Sequence, residues 1–194
     1  MKKLLLLGYL LFLVSASLVF AQERKRGVYV DIGLGLGDIS YFGGNMKTIA
    51  DGFNKTADMH MTLDVSFLTI GWALTQNIYL VGTLTSLADA YFDAAENQSQ
   101  LNVAMYGIGA RYYPLPSKKY LQFGLDLGAS RLSVLQNKKN AYSDFGFSTR
   151  FSAAYDFDST MTGFTAMPGG ALMLNIIEGD VSLSYTLFFK LAFK

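Results

Sequence analysis

The residues equipped for chemistry are few, and they recur in one phase. Asp31, Asp64 and Asp126 supply acid, and Arg111, Arg150 and Lys190 supply base. Most of them are bracketed on both sides by apolar residues, as in Val30-Asp31-Ile32, Leu125-Asp126-Leu127 and Phe189-Lys190-Leu191. Charges on a face that is otherwise small and uncharged must pair or hold water, because an ion removed from water alone is very costly. Two kinds of chemistry follow. The set can be a polar plug that fills and stiffens a narrow interior, or a charged constriction that selects solutes. The plug is the preferred reading, since narrow closed sheets are filled by their own side chains. Asp31 and Lys190 lie near opposite ends of the chain and are expected to meet as a cross-strand pair.

Other groupings carry less. His60 is the only histidine and there is no cysteine. Thiolate sites and Cys nucleophiles are therefore excluded, and no metal site or catalytic set is expected on His60 alone. No Ser-His-Asp set suggests itself, so no enzymatic activity and no cofactor are expected. Gly33-Leu-Gly35-Leu-Gly37 mimics a nucleotide-binding loop, but it sits inside an alternating stretch with no helix after it. Asp156 and Asp158 read as a solvated turn. Asn54-Lys-Thr56 and Asn97-Gln-Ser99 match a glycosylation sequon and read as polar loop. A net charge of +1 gives no sign of nucleic-acid binding.

The elements that must position these residues are strands. Residues 28 to 37 set Val28, Val30, Ile32, Leu34 and Leu36 against Tyr29, Asp31, Gly33, Gly35 and Gly37; residues 121 to 130 and 181 to 193 alternate in the same way. Period two is the signature of a strand. Eight strands are predicted near 27–37, 60–74, 78–88, 100–113, 120–133, 145–157, 161–174 and 180–193, an all-β architecture. The phase of the second slips between Phe67 and Leu68, which predicts a bulge. Pro168-Gly169-Gly170 predicts a bulge or kink in the seventh.

Period alone does not say which face is inside. The polar face consists of Gly, Ser, Thr and isolated charges, and the apolar face is continuous along whole strands, as lipid contact requires. Aromatics gather at strand ends: Trp72 and Tyr79; Tyr112, Tyr113 and Tyr120; Tyr155 and Phe157. They predict an interfacial girdle. Long polar segments, 38–59, 89–99 and 134–144, alternate with short turns, which places both chain ends on one side of a membrane. The sequence is 51% hydrophobic and only 16% charged, well below the roughly 25% charge of soluble domains.

The alternating strands and the final aromatic stretch Tyr185-Thr-Leu-Phe-Phe-Lys-Leu-Ala-Phe193 resemble the small outer-membrane barrels of the OmpA, OmpX and OmpW kind. The resemblance implies an eight-stranded antiparallel transmembrane β-barrel that contacts outer-membrane lipid and, during biogenesis, the barrel-assembly machinery. That machinery's signal usually ends on an aromatic residue, whereas Lys194 follows Phe193 here. Barrels of this kind serve as anchors, as adhesion or defence surfaces, or as conduits for small apolar compounds.

The N-terminus agrees with export. Met1-Lys2-Lys3 precedes an apolar run from Leu4 to Phe20, and Val19 and Ala21 suit a cleavage site. Residues 1–21 are expected to be a signal peptide cleaved after Ala21, and residues 22–194 the barrel domain in the cell outer membrane. For function, the expectation is a narrow conduit for small apolar molecules. Tyr41, Phe42, Ile49 and Phe53 would form an apolar outer mouth, with Met59, Met61 and Phe67 extending it. The alternative is a surface-exposed adhesion, host-interaction or structural barrel whose loops meet an extracellular partner.

Overall fold

The structure, a computed structural model, describes residues 27–95, 97–114, 120–136, 139–157 and 163–193. The expected signal segment 1–21 and Asp158 lie outside the described residues. The elements are β1 (Val28–Tyr41), α1 (Gly44–Asn54), β2 (Met59–Ala73), β3 (Ile78–Phe92), β4 (Gln98–Tyr112), β5 (Leu121–Gln136), β6 (Lys139–Tyr155), β7 (Phe164–Ile177) and β8 (Asp180–Phe193). Each strand pairs antiparallel with the next, and β8 returns to β1, from Val30 opposite Phe193 to Tyr41 opposite Ser182, so the sheet is a closed barrel. Closure leaves every strand with a neighbour on both sides.

The phase slip in β2 is a bulge. Ser66 faces Thr85 and Leu68 faces Leu84, leaving Phe67 between them. The expected break at Pro168 is not there. The β7–β8 register runs unbroken from Phe164–Phe193 to Ile177–Asp180. The β6–β7 ladder ends at Ala154–Gly169, so the missing proline N–H breaks no ladder bond on that side. Nor are 89–99 and 134–144 long loops. β3 and β4 turn between Phe92 and Gln98, and β5 and β6 between Gln136 and Lys139. β7 and β8 join through Glu178 and Gly179, both at positive φ (53° and 84°), the conformation a two-residue hairpin needs.

Apolar side chains cover the outside. Ile108 is 75% exposed, Leu187 76% and Trp72 66%, while the charged set of the opposite phase is buried. On β1 the outward apolar residues run from Val28 to Leu36 and end at Asp38. With ~3.3 Å per residue and a tilt near 40°, they span roughly 20 Å before side-chain reach is added, close to the ~25 Å band of a membrane barrel. Strands of 14 to 17 residues exceed the ~9–11 needed to cross, so the α1 end of the wall projects beyond the band.

In that projection the alternation inverts. Outward residues of β4 change from Ile108, Tyr106 and Ala104 to Asn102, Gln100 and Gln98, while inward ones change from Gly109 and Gly107 to Met105, Val103 and Leu101. On β5, Arg131 succeeds Ala129 outside as Leu132 succeeds Ser130 inside. Below the projection the barrel is apolar outside and encloses the charged set. The cap is built like a water-soluble protein.

Candidate functional site

The interior is filled in three tiers. At the end holding the chain termini, Tyr29, Tyr79 and Tyr113 are fully buried. Their rings pack at 5.5 Å (Tyr29–Tyr79) and 6.0 Å (Tyr79–Tyr113), beside Met167, Phe188 and Ala192. Gln122 Nε2 donates to the Tyr113 hydroxyl at 2.7 Å and to that of Tyr29 at 3.3 Å. Tyr79 and Tyr113 were expected in the outer girdle, and the structure corrects this: Tyr79 occupies the inward phase of β3, and Tyr113, one residue past β4, continues the inward phase of Arg111. Trp72, Tyr112, Tyr155 and Phe157 do face outward. Asp156 is likewise corrected from a solvated turn. It is buried, accepting from Thr165 Oγ1 at 2.7 Å and from the Tyr113 hydroxyl at 3.3 Å.

The middle tier holds the six charges. Arg111 meets Asp126 through two parallel hydrogen bonds, Nη1–Oδ1 at 2.6 Å and Nη2–Oδ2 at 3.1 Å. Arg150 reaches across the lumen from β6 to Asp64 on β2 at 2.5 Å and donates to Thr85 at 3.2 Å. Thr186 adds a hydrogen bond to Asp64 at 2.8 Å. Lys190 lies 3.7 Å from Asp31, whose other oxygen accepts from the Tyr29 hydroxyl at 2.6 Å. The Phe188 ring sits between Arg150 and Lys190, with their charged centres 5.7 and 4.9 Å from its centroid. Small residues make the room. A Cβ on Gly33 would meet Lys190, one on Gly35 Phe188, and one on Gly109 Asp126. With charges paired in this way, the tier is electrically neutral and closely packed.

The third tier closes the opposite mouth. Helix α1 turns Met46, Ala50 and Phe53 inward, against Tyr91, Leu101, Val103, Met105, Leu132, Met173 and Ile177. The spacing i, i+4, i+7 puts those three on one helical face. Its N-cap residue, Gly43, has no side chain to cap the helix; the carboxylate of Asp180 on β8 does so instead, Oδ2 accepting from Met46 N at 2.8 Å. Beside α1, Asp89 ties three strands together. It accepts from the Tyr41 hydroxyl (2.8 Å), the Tyr91 hydroxyl (2.6 Å), Thr62 Oγ1 (2.8 Å) and His60 Nε2 (2.5 Å). His60 also stacks on Tyr91, centroids 4.5 Å apart.

Of the four residues expected at an apolar mouth, Phe53 is buried on the inward face of α1, and Ile49 and Tyr41 pack partly against the same cluster. Phe42 is 59% exposed and points away. Met59, Met61 and Phe67 share the outward phase of Leu63 and Val65 in the first half of β2, opposite buried Thr62, Asp64 and Ser66, and Met59 and Phe67 are each 55% exposed, so they do not extend a lining. The residues that cap the barrel, Asp89, Tyr91, Leu101 and Val103, were not singled out in sequence. Asp89 shares the inward phase of Thr85 and Leu87, and that phase was the available signal. Away from the wall, the β3–β4 turn is pinned by Asp93. Hydrogen bonds from the Asn97 side chain and from the backbone of Asn97 and Ala95 hold its carboxyl below the usual range.

No family model matches the chain, and no curated protein matches it in sequence. Solved structures match it in fold. The attachment invasion locus protein Ail of Yersinia pestis, in complex with the heparin analogue sucrose octasulfate, is 9% identical. It covers 88% of this chain and 100% of its own, with a TM-score of 0.52. Neisserial surface protein A (NspA) is 12% identical and covers 88% of this chain and 99% of its own, with a TM-score of 0.58. At such identities the likeness speaks to architecture alone, and the architecture is that of the small eight-stranded outer-membrane β-barrels.

Proposed function

We infer that this chain resides in the outer membrane as a closed barrel that works through its cap, α1 and the surrounding hairpins, as a surface-interaction or anchoring protein. The observation that carries this is the filled lumen: an aromatic tier, a neutral ion-pair tier, and a helix in the mouth. A conduit needs a continuous path. The three tiers stand across the lumen, and hollows of about 530, 600 and 680 Å³ lie on the outward face, among Ile32, Leu34, Leu68, Ile70, Ile108 and Leu127. The apolar band supports membrane residence, and the polar projecting wall supports a cap in water. Export by a signal peptide cleaved after Ala21 belongs to the same reading.

The cap offers a partner exposed Phe42 and Tyr142, and a cleft of about 310 Å³ between Ile49 on α1 and Val134, Tyr142 and Glu178. The sulfated ligand of Ail is not carried over. Among the described residues, exposed Asp51, Asp58, Asp144 and Glu178 stand among Lys47, Lys55, Lys139 and Arg131, with no excess of positive charge to hold a polyanion. Reconstitution into liposomes tests the reading, with flux measured for small polar and small apolar solutes. No flux of either class is expected, together with binding of a host or matrix component that is lost when 42–58 is replaced by a short turn. Selective apolar flux through the intact protein would overturn it in favour of the conduit.

A further inference from the structure

Arg131 is the one cationic side chain of the described strands that faces outward on the wall below the hairpin tips. Arg111, Arg150 and Lys190 point inward, and Lys47, Lys55 and Lys139 belong to α1, its following loop and the β5–β6 tip. It occupies the first polar rung above the apolar band. Below it on β5 are Leu125, Leu127 and Ala129; beside it are Ala104 on β4 and Phe145 on β6. That is the level of lipid headgroups.

The side chain is also held. The β5–β6 register shifts between Arg131 and Ser133, placing one extra residue in β6. This bulge frees the Ser143 carbonyl from the ladder, and Arg131 Nε donates to it at 2.8 Å. Ser143 Oγ fixes the bulge by accepting from Leu132 N at 3.0 Å and donating to the Asp144 carbonyl at 2.7 Å. Tyr142 and Phe145, 60% and 65% exposed, flank the guanidinium with centroids 4.8 and 5.6 Å from its carbon. Among the described residues no carboxylate forms an ion pair with Arg131. With Nε committed and the plane fixed by two rings, the paired Nη groups are presented as a fork, the geometry that takes two oxygens of a phosphate.

We propose that Arg131, clamped by Tyr142, Phe145 and the Ser143 carbonyl, binds the phosphate of an anionic lipid headgroup at the rim of the barrel. This rests on the membrane reading above. The full chain, refolded into detergent and shown to be a closed barrel by its heat-dependent gel mobility, is exchanged into vesicles. One set contains dioleoylphosphatidylglycerol and the other a phosphate-free galactosyl diacylglycerol, and retained lipid is counted by native mass spectrometry. Wild type is expected to retain the phosphatidylglycerol at least about tenfold more strongly, the effect of one charge-assisted contact. R131Q abolishes the preference, and R131K and F145A weaken it, with gel mobility unchanged. Equal retention by wild type and R131Q in properly inserted barrels overturns the site alone. Displacement of the lipid by millimolar inorganic phosphate overturns the lipid as source. Failure to insert into either vesicle overturns the membrane reading and the site with it.

Discussion

Replacing Asp126 by Asn tests whether the barrel is filled or open. The change keeps the side chain's shape and removes its charge, leaving the Arg111 guanidinium unpaired. Both residues are 1% exposed and joined by two hydrogen bonds of 2.6 and 3.1 Å. Breaking a buried pair from one side costs about 3–5 kcal/mol. The same pair in a water-filled channel would be worth about 0–1 kcal/mol. At ~1.4 kcal/mol per factor of ten, the filled lumen predicts a fall in the folding equilibrium of about two to three and a half orders of magnitude. Adding R111M, which removes the stranded charge, should recover most of the loss, since apolar replacement of both partners is often neutral. The assay is reversible urea unfolding in vesicles, followed by the fluorescence of Trp72, the only tryptophan, with gel mobility as a second probe. Asp126→Asn within about 0.5 kcal/mol of wild type would show that water reaches the pair, and the closed-lumen reading would fail.

Three further outcomes are expected. Phe53→Ala should cost about 3 kcal/mol or more by emptying its place against Tyr91; faster proteolysis within 42–58 measures the release of α1, and unchanged cleavage would mean that the helix is not held by packing. Gly109→Ala, whose new methyl would meet Asp126 and the Leu125 carbonyl, should destabilise by about 1–3 kcal/mol, whereas Gly82→Ala, whose Cβ has the Ile70 carbonyl 3.9 Å away as its nearest neighbour, should be tolerated; equal unfolding midpoints for the two would refute the close packing. Because the folded-state carboxyl of Asp93 is held below its unfolded value, its contribution to the β3–β4 turn is present above the ordinary aspartate range and lost as pH falls through the lowered value; carbon NMR titration of Asp93 at or above the ordinary value would contradict the turn geometry.

Period-two alternation was enough to read, from the sequence by itself, which face of each strand is apolar, where β2 slips phase, and that Asp31, Asp64, Arg111, Asp126, Arg150 and Lys190 share one side. Those properties are local, since each residue's face follows from its neighbours two positions away. Tertiary structure decided the rest. Arg150 finds Asp64 across the lumen, from β6 to β2, because closure and stagger set which levels of non-adjacent strands coincide, and no local pattern encodes the stagger. Tyr79 and Tyr113 look like girdle residues by their place near turns, yet their phase turns them inward, where Gln122 donates to the Tyr113 hydroxyl and Asp156 accepts from it. The spacing of Met46, Ala50 and Phe53 is a helical signal within a segment that reads as a loop. What makes it a plug is the apolar ring of Leu101, Val103, Met173 and Ile177, drawn from strands far away in sequence. A short amphipathic helix is marginal alone and becomes stable only where such a surface covers its apolar face.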